Sequence, residues 1–123
     1  MTVHFSDEVS VGGYNLLRIK SGANLVGVQA QVLAVLVGTV LPVMQGCGVD
    51  CIVTSGTDGN HRRHSEHYQG NAVDLRARHI PSLEIKMSIV SSVKDALNEE
   101  FLFQYEPSIP DKRTEHFHLE WRP

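Results

Sequence analysis

The polar run from Thr57 to Asn71, "TDGNHRRHSEHYQGN", restricts this chain more than any other stretch, because it contains almost no apolar residue. It offers nothing to a hydrophobic core, and a polar loop of this length in a compact domain is either functional or disordered. Its flanks narrow the choice. "VDCIVTSG" on one side is rich in β-branched residues and stops at Gly56. "AVDLRA" on the other side alternates, with Val73 and Leu75 on one face and Ala72, Asp74 and Arg76 on the other. Two strands are therefore joined by a histidine-bearing loop.

The remaining periodicities complete an α+β pattern. Leu25, Val28, Val32, Leu36, Val40 and Val43 recur at helical spacing, which predicts a helix from Asn24 to Gln45, capped by Asn24 and ended by Gly46. Pro81 opens a second predicted helix, "PSLEIKMSIVSSVKDALNEE", with Leu83, Met87, Val90, Val93 and Leu97 as its apolar stripe. "FLFQYE" reads as a strand, Pro107 to Lys112 as a loop, and "HFHLEW" as a last strand. In that last strand Phe117, Leu119 and Trp121 face the core, and His116, His118 and Glu120 face away. Residues 1–20 allow either a hairpin around Gly12-Gly13 or a short helix after it. The expected architecture is a single domain, 1–123, in which helices cover one face of a small, mostly antiparallel sheet and polar residues line the other.

Composition removes several function classes. A formal net charge of -3 gives no electrostatic basis for binding nucleic acid or an anionic membrane surface. The apolar stretch Leu25–Met44 is about as long as a bilayer is thick, but Gln29, Gln31 and Pro42 interrupt it, and its helical periodicity suits a buried core helix. The chain is expected to be soluble, monomeric and without a targeting signal or stable membrane insertion. Cys47 and Cys51, in "CGVDC", read as two reduced thiols, since a structural zinc site would need two further ligands at familiar spacing.

Six of the seven histidines lie between His61 and His118. Zinc accepts imidazole nitrogen and carboxylate oxygen, and a catalytic site uses three protein ligands and leaves one position for water. His67, Asp74 and His118 provide such a set: the Gly70-Asn71 turn folds His67 back toward Asp74, and His118 arrives from a distant strand. Hydrolysis also needs a proton acceptor. Glu115, three residues before His118, is the candidate base, provided it lies in the turn before the strand begins. His116 shares the face of His118, where it stabilises an oxyanion or acts as a second proton carrier. Each of these residues alone would read as an ordinary solvated side chain; only the set points to a metal.

"SEHYQGNAVD" fits the pattern S-x-H-x-x-G-x-A-x-D, and "EHFHLEW" places an acidic residue three before a histidine, with a histidine–hydrophobic–glutamate ending. In both, the chain resembles the M15, or LAS, zinc peptidases, a group of D-alanyl-D-alanine carboxypeptidases and dipeptidases and L-alanyl-D-glutamate endopeptidases of phage endolysins. The resemblance runs from about Val53 to Trp121. It implies Zn2+ on His67, Asp74 and His118, with Glu115 as base and His116 beside it. It also implies that Ser65 contacts substrate or supports a ligand. Many members carry an arginine in an "SGYR"-like run where this chain has "TSGTDG", so Arg62 or Arg63 would take over that substrate contact. The same residues are similar to the hedgehog signalling domain, which keeps the zinc fold in a binding role. The expected function is hydrolysis of a peptidoglycan stem peptide at the cell wall, by a phage or bacterial enzyme; the alternative is a zinc-stabilised binding module without turnover.

Overall fold

A computed structural model describes residues 2–5, 16–57, 69–107 and 115–123. The strands are β1 (Thr2–Phe5), β2 (Leu16–Ile19), β3 (Cys51–Ser55), β4 (Ala72–Arg76), β5 (Phe101–Glu106) and β6 (His116–Trp121). Between β2 and β3 a helical segment runs through α1 (Ala30–Val35), a π-helical turn (Leu36–Val40) and α2 (Leu41–Gly46); α3 (Leu83–Ala96) joins β4 to β5. The six strands form one sheet in the order β1-β2-β3-β4-β6-β5. β1, β2 and β3 run parallel to one another, while β3–β4, β4–β6 and β6–β5 are antiparallel. The domain is thus α+β with a mixed sheet.

Strand alternation places the core on one sheet face. Leu17 and Ile19, Cys51 and Val53, Val73 and Leu75, Phe103, Phe117 and Leu119 are buried together with Val32, Leu36, Val40, Leu41 and Met44 of the first helical segment and Ile89, Val90 and Val93 of α3. Phe103 stacks on Phe117 across β5 and β6, ring centroids 5.4 Å apart; such a pair adds about 0.5–1.5 kcal/mol beyond the area it buries. Burial pushes the Cys51 thiol up to about 12, with Asp50 adding to the shift, and both cysteines are free. The opposite sheet face carries Asp74, Arg76, His116, His118 and Glu120.

Several boundaries differ from those expected. The first helix begins at Ala30 and not at Asn24, because the Asn24 Oδ1 accepts the Val26 N–H at 2.9 Å and so closes a turn that competes with helix. Gly27 follows with φ 86°. Pro42 has no N–H to donate, and its ring crowds the carbonyl four residues back, that of Gly38, so the helix widens there into the π-helical turn. The stop is a Schellman arrangement built on Gly48 (φ 73°), with Val49 N–H donating to Met44 O and Gly48 N–H to Gln45 O, so Gly46 is its last helical residue and not its terminator.

The second helix starts at Leu83, behind the Ser82 cap whose Oγ accepts from Ile85 N–H; Pro81 precedes the cap, and the helix ends at Ala96. Its buried stripe is Ile89, Val90 and Val93, with Ile85 partly buried, whereas Leu83 and Met87 are exposed. The helix is rotated because Ile85, Ile89 and Val93 form an equally good i, i+4 row, and contact with β5 selects that row. At the N-terminus Leu16–Ile19 form β2 and not the short helix expected as one alternative, and β2 pairs in parallel with β1; the turn of the expected hairpin lies outside the described residues. Gly12 and Gly13 lie outside the described residues. Among the described residues no helix is long and apolar enough to cross a membrane.

Candidate functional site

Among the described residues three charged side chains are buried: Arg18, Glu115 and Glu120. A buried charge is stable only when paired, and the pairs locate the chemistry. Arg18 Nη1 meets Asp50 Oδ2 at 2.8 Å, near the other end of the sheet. Glu120 and Glu115 belong to β6 and to the residue just before it.

β4 and β6 set the centre of the polar face. Their antiparallel register pairs Asp74 with His118, Ala72 with Glu120, and Arg76 with His116. Asp74 Oδ1 lies 2.9 Å from His118 Nδ1, and Glu120 Oε1 lies 2.8 Å from His118 Nε2. A ring with a carboxylate at each nitrogen is best satisfied with both nitrogens protonated. Burial pulls the His118 pKa down, but the hydrogen bonds to Asp74 and Glu120 outweigh it and raise the ring to about 9. Burial pushes Glu120 up, and its bonds to His118 and to Arg122 bring it net below the usual carboxylate range. A β-bulge between Val53 and Ser55 sets Ser55 opposite Asp74, an irregularity of the kind that re-aims side chains beside sites.

His116 occupies the same face one row along, its Nε2 3.8 Å from Asp74 Oδ1 and 2.6 Å from Glu106 Oε2 on β5. Glu106 is braced in turn, because Gln104 Nε2–H donates to its Oε1 at 2.6 Å.

Glu115 lies in the residue before β6 begins, as the pattern requires, but its carboxylate is engaged elsewhere. Lys86 Nζ on α3 is 2.5 Å from Glu115 Oε2, and the Tyr105 hydroxyl donates to the same oxygen. Burial, reinforced by Glu115, pushes Tyr105 up to about 12, so the phenol remains a donor. Lys86 also sits 5.6 Å from the Tyr105 ring centroid, and Tyr105 packs against Phe117. These contacts belong to the helix-covered side of the sheet, opposite the face that carries Asp74, His116 and His118. Of the expected site residues, the structure brings together Asp74, His118 and His116, and holds the Glu115 carboxylate apart from them. His67, Ser65, Arg62 and Arg63 lie outside the described residues.

Asp74 and His118 are residues of the kinds zinc takes as ligands. Glu120 fits the same chemistry, since a metal-bound imidazole usually donates its other N–H to a carboxylate. Among the described residues no group of three or more His, Cys, Asp or Glu side chains is arranged to hold a metal. Sequence reasoning gave Glu120 no role, although its place two residues after His118 put it on the right face. Glu106 and Gln104 carried no signal, because only the β5–β6 register brings them to the site.

No protein family, curated protein or solved structure matches this chain.

Proposed function

We propose that the chain is a zinc-dependent metallopeptidase that hydrolyses an amide bond of D-Ala-D-Ala or L-Ala-D-Glu type in peptidoglycan stem peptides, as a lysis or virion-associated enzyme of a phage or as a bacterial cell-wall enzyme. One observation carries most weight: Asp74 and His118, distant in sequence, meet at 2.9 Å with Glu120 behind the imidazole. That arrangement supports His67, Asp74 and His118 as the ligand set of the motif "SEHYQGNAVD" and "EHFHLEW". Bound zinc supplies an acidified water, its pKa lowered to about 7. His116, on the same face, handles the proton or steadies the oxyanion. Ser65, Arg62 and Arg63 are assigned to the substrate side. Glu115 serves as base only if its carboxylate leaves Lys86 and Tyr105.

That last condition favours a second reading, a zinc-stabilised binding module of the same fold in which Glu115 is a structural partner of Lys86 and there is no turnover.

Elemental analysis of the purified protein should find about one zinc per chain, reduced in each of His67→Ala, Asp74→Ala and His118→Ala. Full zinc in all three variants sinks the ligand set. Mass spectrometry of purified muropeptides after incubation with the zinc-loaded protein should show a cleaved stem peptide. Full zinc with no cleavage of any muropeptide decides for the binding module.

A further inference from the structure

β5 is an outer strand of the sheet, and the ladder decides which of its backbone groups face outward. Trp121 N–H donates to Asn71 O at 2.8 Å, so the odd-numbered residues of β6 bond β4. Arg122 N–H donates to Glu100 O at 2.5 Å, so the even-numbered ones bond β5. With Gln104 in register with His118 and Glu106 with His116, the even-numbered residues of β5 bond β6 in return. Phe101, Phe103 and Tyr105 therefore turn their N–H and C=O groups to the edge. Phe101 N–H donates to Asn98 O at 3.2 Å, and beyond Glu106 stands Pro107, which has no N–H. Among the described residues nothing pairs the outward backbone groups of Phe103 and Tyr105.

No device in the strand blunts this edge. Phe101–Glu106 contains no Pro, Lys or Arg, its register with β6 runs without a bulge, and its single charge, Glu106, is turned to His116. An edge of this kind is a template for another strand. The open window is two residues wide and centred on Gln104, so a two-fold axis at Gln104 carries it onto itself.

We propose that the occupant is a second copy of this chain, paired antiparallel through β5 about that axis, in place of the monomer expected from the sequence. Phe103 of each copy then bonds Tyr105 of the other, and four N–H···O=C bonds satisfy every group in the window. On the polar side Gln104 faces its own counterpart, where each amide both donates and accepts, and Leu102 faces Glu106 of the second copy. A register centred on Phe103 is excluded: it needs the Phe101 N–H that Asn98 holds, and it sets Glu100 opposite Glu106. Side chains keep their faces, so both helical layers lie on one side of the joined sheet and both candidate sites on the other. On the peptidase reading, which the pairing itself does not need, the two β6 strands that carry His118 are three strand spacings, about 14 Å, apart. The dimer presents both centres to one surface. It is a weak dimer, because a contact one strand wide falls in the class below about 1,200 Å².

Sedimentation equilibrium of the purified chain with chelator present, from micromolar to millimolar concentration, should show a monomer–dimer equilibrium and nothing larger. Gln104→Cys, in a Cys47→Ser, Cys51→Ala background, should oxidise to a disulfide-linked dimer, since such non-hydrogen-bonded partners stand about 4.5 Å apart at Cα. Leu102→Cys and Glu106→Cys in the same background should not, because neither position meets its own counterpart. Leu102→Lys, facing Glu106, should dimerise at least about fourfold more tightly than Leu102→Glu, with circular dichroism showing both folded. A wild type that stays monomeric at millimolar concentration overturns the inference, as does a disulfide that forms equally at all three positions. Assemblies larger than a dimer would set β5 against the β1 edge of the next copy and overturn the two-fold. None of these readouts involves zinc or turnover, so failure of the peptidase reading leaves the dimer standing.

Discussion

Asp74 and His118 are separated by 44 positions in the chain and are direct register partners on β4 and β6, with Oδ1 and Nδ1 2.9 Å apart. The sheet itself, and no local turn, builds this contact. Anything that shifts the β4–β6 register by one residue would send one of the two side chains into the core.

The pair makes the metal-free protein sensitive to alkali. His118 is raised from its ordinary 6.5 to about 9 in the folded state, burial opposing and the bonds to Asp74 and Glu120 prevailing. A raised folded pKa means stability that is fully present below 6.5 and lost as pH rises through 9. Urea unfolding of the chelated protein should therefore show a loss on the order of 2 kcal/mol across that window. The zinc-loaded protein should lack this loss, because a metal-bound ring is already neutral, and zinc affinity should rise with pH over the same range. A chelated protein equally stable at both ends would show that the imidazolium is not held by the two carboxylates.

Glu120 should matter to the metal without touching it. Glu120→Gln keeps the side-chain length but gives up the charge that both His118 and Arg122 bond to. Zinc affinity should weaken by about ten- to a hundredfold while the far-ultraviolet circular dichroism stays as in the wild type. Competition with a metal-sensitive dye measures this, and an unchanged affinity would reduce Glu120 to a surface partner of Arg122.

Glu115 allows a structural role to be tested apart from the proposed catalytic one. Its side chain and that of Lys86 are only 7% and 12% exposed, and removing one partner of a buried pair commonly costs about 3–5 kcal/mol. Glu115→Gln retains hydrogen bonding, so a loss of about 2–3 kcal/mol is expected, with zinc content intact. If Glu115 is also the base, turnover in the folded, zinc-loaded variant should fall about a hundredfold or more. The double variant Glu115→Gln, Lys86→Met should recover part of the lost stability. Stability unaffected by Glu115→Gln alone would mean that the carboxylate does not reside with Lys86 in solution.

Gly70 should tolerate no side chain. It has φ 77°, Gln29 N–H donates to its carbonyl at 2.8 Å, and a Cβ there would collide with the Gly27 carbonyl oxygen. At the other end of the loop Thr57 N–H donates to Asn24 O, so the 24–29 segment fastens both ends of the stretch that carries His67. Gly70→Ala should cost at least about 2 kcal/mol from strain and displacement, and should reduce zinc occupancy through the altered loop exit. Thermal unfolding with parallel metal analysis checks both; normal values of each would mean that the backbone rearranges at no cost.

Periodicity alone fixed the face assignments of β4 and β6, because side chains on a strand alternate whatever lies around them. Phe117 and Leu119 had to be inside if His116, His118 and Glu120 were outside. The outward placement of Asp74 and of His118, each on its own strand, followed from the same local rule, whereas their meeting depends on the β4–β6 register. Helix rotation did not follow from such a rule, since α3 carries two apolar rows and only packing on β5 chose Ile85, Ile89 and Val93 over Leu83 and Met87. The start of the first helix was equally illegible, because Asn24 caps a helix and closes a turn with the same oxygen. Nor could sequence pair β1 with β2 in parallel, a long-range choice. The partners of Glu115 and His116 were decided last and only in three dimensions. Lys86 and Glu106 sit on different elements, and a hydrogen bond of ordinary length depends on how those elements dock, which no spacing along the chain encodes.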